Sequence, residues 1–258
     1  MSSGITYLAS GRNGPPLVFL HGIGGDGGSF RAQLAHFGAR FRTFAWNMPG
    51  YGGSDPSAPL TFPALAAALA RLLDELEATP AHLVGHSIGG MIAQEFAATF
   101  PERVASMTLV ATSPAFGRPE GEFQRRFLAD RLGPLDAGRG MAELAPEIVA
   151  SLVGTDPDPE GLELAVACMS RVPEAAYRAA VNCLVTFDRR DALEGHRMPV
   201  LVVAGEKDRN APPEMMRRMA QRIPTALFVE VEGAGHLLPL ERPRDFNRIL
   251  ETYLADHC

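Results

Sequence analysis

Residues 81–93 read Ala-His-Leu-Val-Gly-His-Ser-Ile-Gly-Gly-Met-Ile-Ala, an apolar run that stops at Ser87 and gives way to a helical pattern. Gly85, Gly89 and Gly90 bracket the serine with residues that lack a Cβ. A sharp strand-to-helix reversal needs that room. Such a turn lifts the serine Oγ clear of the sheet and aims the first backbone N–H groups of the following helix, beginning at Ile88, at whatever the serine attacks. Ser87 is therefore a candidate nucleophile. A Gly-x-Ser-x-Gly pentapeptide also arises by chance in loops, so its surroundings decide.

Those surroundings alternate between strand and helix. Upstream, residues 5–8 and 16–21 predict strands around the turn Gly11-Arg12-Asn13-Gly14, and Pro16–His21 is apolar on both faces, as in a covered central strand. It runs into His21-Gly22-Ile23-Gly24-Gly25 and Asp26-Gly27-Gly28-Ser29, where bare backbone can approach a ligand. A phosphate cradle is the competing reading of this loop, but neither Gly-x-Gly-x-x-Gly nor a Walker lysine is present. Phe41–Trp46 predicts a third strand, ending in the turn-rich Asn47–Asp55. Thr61 is a candidate N-cap for a helix to about Glu77, with Leu65, Leu69, Leu72, Leu73 and Leu76 on one face.

Downstream, the helix after Ser87 ends at Pro101 and Val104–Val110 predicts another strand. From 113 to about 197 strands vanish, and helices are expected near 120–132, 141–153, 160–172 and 174–187, punctuated by Gly133-Pro134, the proline-rich 155–159 and Pro173. Val200–Ala204 restarts the alternation, followed by a helix near 212–222, a strand at 227–231 and a helix at 243–254. The pattern predicts an α/β fold with a mostly parallel sheet, helices on both faces and an inserted helical cap. Residues 1–112 and 198–258 would form the core and 113–197 the cap, within a single domain.

Composition narrows the function. The chain has 258 residues, 46% hydrophobic and 21% charged, with a net charge of −6. Those values describe an ordinary globular protein and argue against nucleic acid as a partner. The most apolar long segment, Leu60–Leu76, is broken by Pro63, Arg71, Asp74 and Glu75, so no membrane span is expected. The N-terminal residues lack a signal-peptide pattern, which makes the cytoplasm the expected location. Cys168, Cys183 and Cys258 are odd in number and widely spaced, which suggests neither a disulfide framework nor a metal site.

A serine hydroxyl needs a base, and the base needs an orienting carboxylate. Asp208 follows the strand 200–204 in Gly205-Glu206-Lys207-Asp208, and His236 follows the last strand in Gly233-Ala234-Gly235-His236. Ligands of open α/β sheets bind beyond the carboxyl ends of the strands, so Ser87, Asp208 and His236 can converge. Glu206, Asp188 and Asp191 are rivals for the acid role. Glu206 sits close to the strand end, and the other two precede Pro199.

On His21-Gly22, Gly85–Gly90, Gly205–Asp208 and Gly235-His236, the chain resembles an α/β-hydrolase fold enzyme over essentially its whole length. It is most similar to the serine hydrolase branch with 3-oxoadipate enol-lactonases, haloperoxidase-type esterases and C–C bond hydrolases. The resemblance implies a Ser87–His236–Asp208 triad, an oxyanion hole of the Ile23 and Ile88 N–H groups, and structural roles for His21 and His86. His36, His82, His196 and His257 would be surface or packing residues. Asn47 departs from the family, which often has aspartate there.

The implied reaction is hydrolysis of a small carboxylic ester or lactone without cofactor or metal, with homo-oligomerisation left open. The alternatives are a C–C hydrolase acting on ring-cleavage dienones, against which Leu237-Leu238 stands where a tryptophan is usual, and a non-catalytic binding protein, which would carry a damaged triad. Phe116, Phe123, Phe127, Tyr177 and Phe187 are candidate pocket aromatics; Arg118, Arg125, Arg126 and Arg171 are candidate receivers of a substrate carboxylate.

Overall fold

The computed structural model describes residues 3–257; Cys258 lies outside the described residues. Its frame is a seven-stranded sheet of β1 (Tyr7–Ser10), β2 (Pro16–Leu20), β3 (Arg42–Trp46), β4 (Ala81–His86), β5 (Val104–Val110), β6 (Val200–Gly205) and β7 (Ala226–Val231). The spatial order is β1-β3-β2-β4-β5-β6-β7. Only β1 runs antiparallel, pairing Tyr7 with Trp46 and Ser10 with Thr43. That register places the first strand two residues later than the sequence predicts, with Thr6 holding Asn47 N–H through its carbonyl at 2.8 Å.

Strands β4 and β6 are buried along their whole length. This is why they read as continuous apolar runs without alternation. One face of the sheet is covered by α1 (Arg31–Phe37) and α10 (Pro243–Ala255), with Leu34, Phe37, Phe246, Leu250 and Tyr253 packed on Phe19 and Val203. The other face is covered by α2 (Phe62–Glu75), α3 (Ile88–Thr99) and α8 (Pro213–Arg222). Thr61 Oγ1 caps α2, accepting from Ala64 N–H at 3.3 Å. Because β3 and β4 lie on opposite sides of β2, the chain leaves β2 in one direction and returns in the other, which opens a crevice at their carboxyl ends.

Between β5 and β6 stand four helices, α4 (Glu122–Asp136), α5 (Met141–Leu152), α6 (Pro159–Ser170) and α7 (Glu174–Leu184). The expected break at Gly133-Pro134 does not occur: α4 continues through Pro134 to Asp136. Proline there forfeits only its own N–H bond in the last turn. The neck of the insertion is fastened at both ends. Phe116 N–H donates to Phe187 O at 3.0 Å and Arg189 N–H to Pro114 O at 2.8 Å, while Gln124 donates to the Phe116 and Val185 carbonyls. A short helix, α9 (Leu238–Glu241), precedes α10. Like α1, it has no counterpart among the helices the sequence pattern predicts.

The Asp26–Ser29 loop also differs from a bare glycine-rich cradle. Asp26 caps a 3-10 turn, Gly27–Phe30, through a reciprocal capping box with Ser29, and that turn leads straight into α1. No helix among the described residues is long and apolar enough to cross a membrane.

Candidate active site

Ser87 sits at the turn between β4 and α3 with φ 55° and ψ −121°. A positive φ on a residue with a Cβ is strained and must be held by its surroundings. Ser87 N–H donates to Val110 O at 2.9 Å, and its carbonyl accepts from Thr112 Oγ1 at 2.7 Å. The glycines around it supply room for close packing: a Cβ on Gly85 would collide with the Gly89 carbonyl, and one on Gly89 with the Leu20 carbonyl. The strain thus falls on the serine itself.

His236 and Asp208 reach this turn from the ends of later strands. His236 Nε2 lies 3.1 Å from Ser87 Oγ, and His236 Nδ1 lies 2.8 Å from Asp208 Oδ2. Asp208 is wholly buried at its side chain, His236 only 12% exposed. The Asp208 Oδ1 accepts the N–H groups of Asn210 and Ala211 at 2.8 and 2.9 Å. Burial works against its ionisation, yet His236 and these two N–H bonds together hold its pKa below the usual aspartate value. An ionised Asp208 fixes the proton of His236 on Nδ1, which leaves Nε2 as an acceptor facing the serine.

The rival acids lie elsewhere. Glu206 accepts from Gly233 N–H and pairs with Lys207, and Asp188 pairs with Arg190. Ile23 lines the cavity over Ser87, and Ile88 opens α3. Neither N–H has an intramolecular acceptor among the described residues.

The neighbouring histidines are fixed in neutral form. His21 donates through Nδ1 to Gly22 O at 2.8 Å and accepts Met48 N–H at Nε2, 3.0 Å away, which braces the loop carrying Ile23. Burial lowers its pKa to about 4. His86 donates through Nε2 to the carbonyl of His236 at 2.7 Å, and burial lowers its pKa to about 3. Asn47 bridges the same region, accepting Gly27 N–H at 2.8 Å and donating to Thr6 Oγ1 at 2.7 Å. An amide that both accepts and donates serves this scaffold, where a carboxylate could only accept.

Above the serine lies a cavity of about 950 Å³, its mouth included. The core side supplies Ser87, His236, Thr112 and Ser113; the helical insertion supplies an apolar roof with Phe127, Ile148, Leu152, Met169, Tyr177 and Leu184. Of the anticipated aromatics, Phe116, Phe127 and Tyr177 line it. Phe123 points to solvent at 60% exposure, and Phe187 packs against Phe62, 4.5 Å between ring centres.

None of the four anticipated arginines lines the cavity. Arg171 pairs with Asp26 at 3.0 Å, Arg126 with Asp130 at 3.8 Å, and Arg125 bonds the Glu120 carbonyl. Arg131 lines it instead, its guanidinium 5.7 Å above the Phe127 ring and on the same cavity wall as Tyr177. The helical period carries the signal, since 127 and 131 share a face of α4. Cys168 and Cys183 are buried free thiols, with pKa values pushed up by burial to about 11 and about 12. Such thiols are inert as nucleophiles at neutral pH.

A parallel α/β sheet with a strained serine at its crevice, backed by histidine and aspartate and roofed by helices, defines a class of enzyme built to attack carbonyl carbon. Residues 15–243 match the family described as alpha/beta hydrolase fold. The chain belongs to that family, and it is an enzyme of the hydrolase class.

Among its relatives, the pimeloyl-[acyl-carrier protein] methyl ester esterase of Chromobacterium violaceum is 33% identical over 245 residues, which cover 93% of this chain and 94% of the esterase. Polyketide synthase ThaQ of Burkholderia thailandensis is 32% identical over 256 residues, 96% of this chain but 12% of the synthase. Two solved structures are close in shape. A thermophilic esterase from Thermogutta terrifontis has TM-score 0.88 at 29% identity, covering 98% of this chain and 94% of its own. The enol-lactonase of Burkholderia xenovorans LB400 has TM-score 0.86 at 26% identity, covering 97% and 94%.

Proposed function

We propose that this enzyme hydrolyses a small carboxylic ester or lactone through an acyl-serine intermediate. The observation that carries the reading is the continuous relay Ser87 Oγ to His236 Nε2 at 3.1 Å and His236 Nδ1 to Asp208 Oδ2 at 2.8 Å, opening onto an apolar cavity. Oγ attacks the carbonyl carbon while His236 Nε2 takes the hydroxyl proton. The oxyanion is received by the N–H groups of Ile23 and Ile88. These donors have no competing acceptor among the described residues, so they need no rearrangement as charge develops.

Collapse of the tetrahedral intermediate breaks the ester C–O bond, and the His236 proton passes to the departing alkoxide. In a lactone that alkoxide stays tethered to the acyl group. Water, giving its proton to His236, then attacks the acyl-serine, and Ser87 regains a proton as the carboxylic acid leaves.

The roof sets which carbonyl enters. Arg131 is the only Lys, Arg, Asp or Glu side chain lining the cavity among the described residues, and no carboxylate pairs with it there. A guanidinium in such a setting favours substrates that carry an acidic group away from the scissile bond. The test is a turnover panel of aryl esters, enol-lactones and ring-cleavage dienones, run on wild type and Ser87→Ala, with a serine-directed phosphonate as label. Ester or lactone turnover that disappears with the serine supports the reading. Serine-dependent turnover of dienones alone, or no labelling and no turnover, overturns it.

A further inference from the structure

Glu241 is a carboxylate buried to 3% exposure, and it pairs with no cation. Its acceptors are committed to backbone. Oε2 accepts Gly154 N–H at 2.6 Å and Gly235 N–H at 2.9 Å, and Oε1 accepts Leu237 N–H at 2.8 Å. Gly235 and Leu237 are the residues immediately before and after His236. Gly154 belongs to the segment that leads out of α5, in the helical insertion that roofs the cavity.

The backbone of His236 itself is held at both of its polar groups. Its N–H donates to Leu152 O at 2.7 Å, and its carbonyl accepts His86 Nε2 at 2.7 Å. The insertion is bound to the same loop by Thr155 N–H on Gly233 O at 2.8 Å and Asp158 N–H on Glu241 O at 2.9 Å. Glycines on both sides permit this closeness, because a Cβ on Gly154 would strike the Gly233 carbonyl and one on Gly235 would strike Gly154 and Leu152.

We infer that Glu241 is a positioning residue for the reaction: by gripping the N–H groups on either side of His236, it fixes the imidazole against Ser87 and joins the roof of the cavity to the base. The inference rests on the hydrolase reading above. A buried carboxylate taken out of water is costly unless its oxygens are bonded, and backbone N–H groups are donors that need acceptors. A carboxylate can accept from three N–H groups that converge on it, whereas an amide cannot. In Glu241→Gln, whichever way the amide is turned, its NH₂ faces at least one N–H, and the Gly235–Leu237 backbone must shift to relieve the donor–donor contact. The side chain touches no reacting atom, so substrate binding by the apolar roof is affected much less than proton transfer.

The test compares wild type, Glu241→Gln and Ser87→Ala by steady-state kinetics on an aryl ester, by the rate of Ser87 phosphonylation, and by the low-field proton resonance of the His236–Asp208 hydrogen bond. Kinetic values are normalised to the folded fraction measured by circular dichroism. The expected result for Glu241→Gln is a fall in kcat of about 10- to 100-fold, as for misplaced catalytic groups. KM should stay within about twofold, phosphonylation should slow in parallel, and the low-field resonance should shift or broaden.

Unchanged kcat in a folded variant, or a loss that merely tracks the folded fraction, overturns the inference. Failure of wild type to turn over ester and to be labelled at Ser87 overturns the hydrolase reading instead. If Glu241→Gln does not fold, hydrogen exchange of wild type decides. The amides of Gly235 and Leu237 must then exchange as slowly as those of β6 and β7, and fast exchange overturns the inference.

Discussion

The neck of the helical insertion includes an ion pair buried at its carboxylate end, whose removal has a calculable cost. Glu95 lies on α3, the helix that begins after Ser87, with its side chain 4% exposed; Arg189 reaches it from the chain returning out of α7. The contact is bidentate, Nε to Oε2 at 2.5 Å and Nη2 to Oε1 at 2.6 Å. Arg189→Met keeps much of the aliphatic stem but strands the carboxylate. Breaking a buried pair by removing one partner costs about 3–5 kcal/mol. Arg189 is 38% exposed, so water reaches the site from one end, and screening reduces the expected loss to about 2–3 kcal/mol.

At roughly 2–4 °C per kcal/mol for a domain of this size, the melting temperature should fall by about 5–10 °C. Replacing both partners, as in Glu95→Leu with Arg189→Met, removes the stranded charge and should recover most of the loss. Urea unfolding of the four proteins of this double-mutant cycle at neutral pH measures the coupling directly. A single-mutant loss below about 0.5 kcal/mol, or a double variant no more stable than Arg189→Met, refutes the reasoning.

Other perturbations have outcomes of their own. Ser87→Ala should abolish ester turnover and phosphonate labelling while leaving the melting temperature close to that of wild type, because the hydroxyl gives up only its 3.1 Å contact to His236; residual turnover near wild type would dismiss the nucleophile. Stability should fall on acidification. His21 and His86 are buried neutral, with pKa values of about 4 and about 3 against 6.5 unfolded, so the unfolded chain binds more protons below pH 6.5. The stabilisation from each, of order 3–5 kcal/mol, is complete above pH 6.5 and is lost as pH falls through the folded values; denaturant midpoints unchanged from pH 7 to pH 4 would contradict it. Arg131→Met should lower the kcat/KM ratio for a monoester bearing a free carboxylate over its methyl-ended counterpart by about 10- to 100-fold; an unchanged ratio would remove Arg131 from recognition.

The order of strands and helices was legible because buried parallel strands leave unbroken apolar runs such as Leu17–Leu20 and Val200–Ala204, and because Gly, Pro and Thr61 punctuate them. The three residues of the relay were legible for a related reason. Each follows a strand, and the ends of parallel strands are neighbours in space however far apart they lie in the chain. Other features lack that kind of local mark. The choice of Arg131 over Arg125 or Arg126 depends on which face of α4 turns toward the cavity, and a helix of low amphipathicity marks that face only weakly.

Glu241 is the extreme case. In sequence it is an acidic residue in Leu-Pro-Leu-Glu-Arg, five positions after His236, with no motif around it. Its placement comes from the three N–H groups left without partners where the loop after β7 meets the end of α5, a need that exists only once those two distant segments touch. A buried polar group answers to the backbone around it. The same contact that hid Glu241 from the sequence ties the wall that chooses the substrate to the histidine that activates Ser87, so substitutions in 152–158 should alter turnover as well as specificity.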